Sequence, residues 1–426
     1  MERFALSRMK EWKENENRKP LIIRGARQVG KTWIMKTFGQ QYFEKTAYVN
    51  FDNNARMKQV FEGDLDIERL VLSISAETGV SIEAENTLII FDEIQEVPKA
   101  LTSLKYFHEN APQYAIVAAG SLLGVALHQG TSFPVGKVDF LDLYPLNFRE
   151  FLCAMGEKQF VSMLDSCDTQ MVTVFKTKYI ERLREYYFVG GMPEVVKDFS
   201  EKKDYNRVRA IQKNLINYYQ QDFSKHAEIK LVPRLNLVWN SIPMQLAKEN
   251  KKYIYGQVRE GSRAKDFELA IQWLLDCGLI HKVQRIQKPD LPLKAYIDFD
   301  AFKLFLVDIG LLIAMTDLDA KVIIEGNKIF TEFKGSLTEQ YILQQLISDV
   351  GVIPYYYSTQ NSKGEIDFLV QGKTSVIPIE VKAEENLKAK SLKAFCEKYQ
   401  PSYAVRTSMS DYREQDWMTN IPLYAV

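Results

Sequence analysis

The sequence predicts an α/β chain in successive parts: a doubly wound parallel sheet first, then a helical middle, then a second and smaller α/β domain. Three stretches carry that prediction. Leu21-Ile-Ile-Arg-Gly25-Ala-Arg-Gln-Val-Gly30-Lys31-Thr32 sets a short apolar run before a glycine loop that fits the pattern G-x-x-x-x-G-K-[ST]. Leu88-Ile-Ile-Phe-Asp92-Glu93 is an apolar run ending in two acids, and Asp367 precedes Glu380-Val-Lys382 on what read as consecutive strands.

The first stretch reads as an ATP site of P-loop NTPase type. Gly25 and Gly30 let the backbone curl until its N–H groups face phosphate oxygens, Lys31 reaches the β and γ phosphates, and Thr32 sets its hydroxyl on Mg²⁺. The run Ala26, Arg27, Gln28, Val29, continued past Thr32 by Trp33, is then the segment that touches the nucleotide. The preceding strand and a following helix without Pro or Gly from Trp33 to Phe38 supply the context this motif requires. In the second stretch a wholly apolar strand suits a parallel sheet covered on both faces, and its acids emerge where such sheets bind ligands. Asp92 is expected to hold Mg²⁺ and Glu93 to act as catalytic base on the attacking water.

Length and composition bound the rest. A chain of 426 residues exceeds one typical domain of roughly 100 to 200 residues. Its apolar runs fall far short of the ~20 residues that span a bilayer, and the charged N-terminus lacks a signal segment, so a cytoplasmic protein without membrane contact is expected. Cys153, Cys167, Cys277 and Cys396 are scattered, which argues for buried free thiols and against zinc. Fifty-five basic and fifty-five acidic residues cancel, so any DNA binding must come from a local patch.

In chain order, residues 1–19 read as an amphipathic packing helix, 47–51 as a strand and 66–78 as a helix. Tyr114 to Ser121 reads as a further strand. Ser121 at its tip fits a γ-phosphate sensor and a helix N-cap equally well. Pro145 suits a helix start before Phe148. The ordered motifs GARQVGKT, LIIFDEIQ, AAGSLL and LYPLNFREFL resemble prokaryotic AAA-type ATPases of a large, poorly characterised family with a second domain of unknown function. That resemblance implies a sensor strand between the phosphate-loop strand and the Walker B strand. Relatives with Gly-Arg where this chain has Gly136-Lys137 raise the question of an arginine finger, and none is assigned.

Residues 156–225 alternate long helices around Gly190-Gly191-Met192-Pro193 and look like a helical lid. The Gly-Gly-x-Pro element resembles one that lies against adenine in related signalling ATPases, and it also reads as a plain helix boundary. Residues 226–325 give helix, linker, helix from Asp266 to Leu275, Gly278 as a stop and a strand, the order of a winged helix. Lys251, Lys252, Arg259, Arg263 and Lys265 precede the recognition position, and Lys282, Arg285, Lys288 and Lys294 follow it, as DNA phosphate contacts need. Winged helices also dock proteins, so both readings stand. Phe302 to Ala314 is expected as an apolar helix.

From residue 330 the pattern changes. Glu339 projects from the apolar face of a helix, and Asp367, then Glu380-x-Lys382, resemble the D…E-x-K set of the restriction-endonuclease-like fold. The resemblance implies Glu339, Asp367 and Glu380 as ligands of Mg²⁺ and Lys382 as a catalytic group that helps generate hydroxide. Tyr355, Tyr356 and Tyr357 read as a packing strand that could also stack on bases. The expectation is four segments, 1–155, 156–225, 226–325 and 330–426, in an ATP-hydrolysing switch coupled to DNA binding or cleavage, or a nucleotide-gated scaffold with an inert C-terminal domain. A homo-oligomer is left open.

Overall fold

The computed structural model describes residues 1–120, 133–248, 251–325, 331–359, 364–384 and 389–426. They form two compact units, one of Glu2–Tyr144 with Asp276–Leu279, the other of Pro145–Leu275 with Ile280–Val426.

The first unit is built on five parallel strands, β1 (Leu21–Arg24), β2 (Lys45–Asn50), β3 (Thr87–Asp92), β4 (Ala115–Ala119) and β5 (Asp139–Asp142), in the order β2-β3-β4-β1-β5. Every residue of β3 and β4 is buried, as the apolar runs Leu88–Phe91 and Ala115–Ala119 require when helices cover both faces. β4 therefore stands between the phosphate-loop strand β1 and the Walker B strand β3, where the family resemblance places it. The helix Ile67–Thr78 starts on Asp66, whose side chain accepts from Arg69 N, and stops at left-handed Gly79. Phe51, Phe61 and Phe91 meet in tilted and edge-on contacts at 5.2 to 5.6 Å, so truncating Phe91 to Ala is expected to cost about 3–5 kcal/mol.

The second unit carries helices, among them Lys176–Val189, Tyr205–His226, Val232–Leu246 and Ala264–Asp276, and one mixed sheet. The sheet takes in the hairpin β6 (Ile280–Ile286) and β7 (Ile297–Leu306) with β8 (Tyr355–Ser358), β9 (Glu365–Gln371), β10 (Val376–Val381), β11 (Val405–Ser408), β12 (Arg413–Gln415) and β13 (Met418–Pro422). Its order is β12-β13-β11-β10-β9-β8-β6-β7, and β6 runs parallel to β8 through Arg285↔Tyr356. The order of helix, helix and strand expected over 226–325 is present, and that strand, β6, pairs with β7 on one side and β8 on the other within the eight-stranded sheet.

Several elements correct the sequence reading. Phe302–Leu306 is strand, and the helix starts only at Ile309 because Asp308 accepts from Leu311 N and caps it. The helix Phe148–Ala154 starts on Asn147, in a capping box with Glu150, three residues later than Pro145 suggested. Cys167 is exposed. Buried glutamines of the helix Thr331–Gln345 satisfy open backbone groups: Gln340 bonds both N and O of Leu306, Gln344 accepts from Ile309 N and Gln345 from Phe148 N. Among the described residues no helix is long and apolar enough to cross a membrane.

Candidate functional site

β1 delivers the glycine loop, and the loop's shape is dictated by what surrounds it. Gly25 has φ +145°, and a Cβ there would lie 2.1 Å from the Leu143 carbonyl oxygen, so only glycine fits. Gly30, with φ 94°, turns the chain into the helix Lys31–Tyr42. Ala26 and Val29 are buried and pin the loop, Arg27 is half-buried, and Gln28 is exposed with φ 65°. Trp33 is 43% exposed on the first turn of that helix. Arg3 from the N-terminal segment is buried and donates to Val29 O at 3.0 Å and to Tyr144 O at 2.6 Å. It anchors the loop from a segment expected only to pack.

Lys31 folds back over the loop, its ammonium donating to Gly25 O at 2.8 Å and Ala26 O at 2.7 Å. Burial draws its pKa down to about 8, against the opposing pull of Glu93 and Asp92. Asp92 is 3% exposed and takes three donors. Its Oδ2 accepts from Thr32 Oγ1 at 2.7 Å and from Tyr48 OH at 2.8 Å, and its Oδ1 from Glu93 N at 3.1 Å. Thr32 thus gives its proton to Asp92 and keeps lone pairs for a cation. Glu93 is left-handed, at φ 51°, and Gln95 Nε2 holds its Oε2 at 2.7 Å. Burial and then Asp92 push the Tyr48 phenol up to about 12, and the Lys36 ammonium lies 3.8 Å from the centre of its ring. The glycine cradle, Lys31 and the paired oxygens of Thr32 and Asp92 fit a nucleotide polyphosphate with Mg²⁺. Ser121 lies outside the described residues. Lys137 pairs with Glu109 at 2.9 Å.

Arg3, Tyr48 and Gln95 were not found from the sequence. Gln95 lies two residues beyond Glu93 and Tyr48 is a polar residue in an alternating strand, so both left a weak signal; Arg3 left none.

In the second unit Gly190 and Gly191 serve packing. A Cβ on Gly190 would meet Asp308 Oδ1 at 2.2 Å and one on Gly191 would meet Leu146 O at 2.0 Å, while Gly191 N donates to Asp308 Oδ2 at 2.6 Å.

The C-terminal residues come together differently from the expected metal set. Asp367 Oδ2 accepts from Val381 N at 2.8 Å, and Lys382 pairs with Glu380 at 2.7 Å. Glu339, 5% exposed, is bonded by Lys251 and lies 3.5 Å from the Lys303 ammonium, which also bonds Glu365. Burial alone would raise the Glu339 carboxyl, but Lys251 and Lys303 hold it below its ordinary value. Burial and then Glu339 raise Asp367. Among the described residues no three His, Cys, Asp or Glu side chains are arranged to hold a metal ion. Of the expected Mg²⁺ set, Glu339 is met by Lys251 and Lys303 and Glu380 by Lys382, whereas Asp367 takes the Val381 backbone N–H. Glu339 Oε2 and Glu380 Oε2, each buried without a hydrogen-bond partner among the described residues, are the features that favour a cation.

Four of the nine basic residues expected to contact DNA are engaged inside the unit. Lys251 is on Glu339, Arg285 bonds Asp298, Lys288 pairs with Asp290 at 2.7 Å, and Lys282 lies 4.3 Å from the centre of the Phe302 ring. Arg259, Arg263, Lys265 and Lys294 are exposed. Tyr355, Tyr356 and Tyr357 are buried, and Tyr357 OH meets Tyr399 OH at 2.9 Å, so this strand packs.

Against known proteins, residues 180–322 match a domain of unknown function (DUF8612) and residues 334–426 another (DUF4143). No curated protein matches the chain. Among solved structures it is similar to the Walker-type ATPase PABY2304 of Pyrococcus abyssi, at 15% identity over 74% of this chain and 95% of that one, with a TM-score of 0.45. The Orc1 protein of Aeropyrum pernix in complex with DNA gives 14% identity over 73% and 91%, with a TM-score of 0.27. The RuvB Holliday junction branch migration motor of Thermotoga maritima gives 11% over 65% and 87%, with a TM-score of 0.29. Residues 17–152, which hold the phosphate loop and the Walker B acids, match an AAA domain.

Proposed function

We propose that the chain binds ATP with Mg²⁺ and hydrolyses it as a molecular switch. The observation that carries this reading is the 2.7 Å bond from Thr32 Oγ1 to Asp92 Oδ2, which brings the ends of two distant motifs to one point beside Lys31. Lys31 is held over the loop by carbonyls it can exchange for phosphate oxygens, and its charge offsets the negative charge that gathers there in the transition state. Mg²⁺, when bound, neutralises phosphate charge and orients the terminal group. Glu93, fixed by Gln95, accepts a proton from the attacking water. Lys31→Ala should abolish turnover, and Glu93→Gln should retain nucleotide while losing hydrolysis. Unaltered turnover in Glu93→Gln would remove Glu93 as the base.

For the output, protein docking is favoured over DNA contact by one observation: Lys251, Arg285 and Lys288 of the expected phosphate-binding set are paired with carboxylates of the same unit. Filter binding to duplex DNA tests this directly. Tight binding that falls steeply with salt supports the DNA reading, and no binding at low salt, with or without ATP, supports docking.

A further inference from the structure

The D…E-x-K pattern implies a divalent cation in the C-terminal domain, and the side chains present answer that implication in another way. Glu339 on the helix Thr331–Gln345 and Glu365 on β9 share the ammonium of Lys303, and Glu339 also takes that of Lys251. Both lysines come from the middle of the sequence and both carboxylates from its last hundred residues. Lys303 is 0% exposed within Ala301–Leu306, a run in which every residue is buried. Its backbone is set in the sheet opposite Val283, and its ammonium lies 4.8 Å from the centre of the Tyr356 ring. A lysine so placed holds its ammonium away from solvent and needs carboxylate partners inside the fold.

We propose that Lys251 and Lys303 take the place of a divalent cation in this cluster, so that the C-terminal domain folds around its own counter-charges and is not a metal-dependent nuclease. Two ammonium groups carry the charge of one Mg²⁺. A metal ion on Glu339 would sit within a few ångströms of both, where like charges in a buried setting repel strongly. The Lys303 pairs bind β7 to β9 and to the helix Thr331–Gln345, and the Lys251 pair ties the segment before Tyr255 to that helix, replacing with charge the link that a shared ion supplies elsewhere. The proposal is independent of the ATPase reading, because it concerns residues of the second unit alone.

The test measures Mn²⁺ binding without nucleotide, from the electron paramagnetic resonance signal of free Mn²⁺, in full-length protein carrying Asp92→Asn to remove the Walker B ligand. This parent should show no Mn²⁺ binding that depends on Glu339 or Glu380. Adding Lys251→Gln or Lys303→Met should create one Mn²⁺ site per chain, lost again on adding Glu339→Gln, and Mn²⁺ should then raise the melting temperature. If Lys303→Met fails to fold, Lys251→Gln decides alone, since that side chain is less deeply buried. The proposal is overturned if the parent already binds Mn²⁺ and loses it with Glu339→Gln or Glu380→Gln. It is equally overturned if a folded lysine variant gains no site.

Discussion

Asp308 offers a quantitative test of how the second unit is held together. It is fully buried, and its carboxylate accepts from Gly191 N at 2.6 Å, Leu311 N at 3.0 Å and Gln344 Nε2 at 3.4 Å. These donors favour the charged form, but burial outweighs them and raises the carboxyl from 3.8 to about 6. The native state therefore binds the proton more tightly than the unfolded chain. Stability from this group is fully present below pH ~4, falls as pH rises, and is gone above pH ~6. Roughly two pKa units at about 1.4 kcal/mol each give a total near 3 kcal/mol, of which on the order of 1 kcal/mol is recovered between about pH 7.5 and about pH 5. The assay is urea unfolding followed by circular dichroism at both pH values, for the parent and for Asp308→Asn. The variant cannot ionise, so subtracting its pH dependence removes the contribution of every other carboxylate. The parent should gain that increment relative to the variant on acidification. Parallel pH dependences, or a relative loss, would refute burial as the dominant influence on Asp308.

Other consequences follow from single contacts. Tyr48→Phe removes one of three donors to Asp92 and should weaken Mg²⁺ use about 10- to 100-fold, read as a raised Mg²⁺ requirement for ATP hydrolysis with the nucleotide affinity in EDTA unchanged. Glu93→Gln should lower kcat by roughly 10²–10⁴ in a phosphate-release assay while leaving nucleotide binding intact. Gly191→Ala drives a methyl group into Leu146 O and should destabilise the second unit by about 3 kcal/mol or more in urea unfolding. Gly256→Ala, which meets nothing within 4 Å, should stay within about 0.5 kcal/mol in the same assay.

The candidate nucleotide site was legible because its residues are contiguous. Gly25 to Thr32 and Leu88 to Glu93 each hold their functional groups within a few residues of the strand that presents them, so pattern and position coincide. Arg3, Tyr48 and Gln95 support those groups from the side, and their roles depend on which strands become neighbours. Tyr48 meets Asp92 because β2 pairs with β3 in a register that sets Tyr48 opposite Ile90. No local spacing encodes that register. The misread helix at Phe302 has a more local cause. Apolar residues run from Phe302 through Ala314 with few interruptions, so periodicity alone cannot separate a buried strand from a buried helix. Asp308 was the available signal, since an N-cap residue inside an apolar run marks where a helix begins.

Lys303 shows the limit of motif reading most clearly. Asp367 and Glu380 lie on neighbouring antiparallel strands, with Pro378 opposite Leu369 and Lys382 just past the end of the second, so the part of the D…E-x-K pattern that two adjacent strands specify is present. Whether such a set holds a metal depends on the counter-charges that reach it, and those arrive from a strand more than sixty residues earlier. A lone lysine among Ala301, Phe302, Leu304, Phe305 and Leu306 was nevertheless a visible anomaly. A fully buried ammonium is costly without a partner, so its presence in an apolar strand implies carboxylates elsewhere in the fold. The buried Glu339, expected to be costly for the same reason, was its complement. Taken together as one uncompensated cation and one uncompensated anion, they point to each other before either points to Mg²⁺.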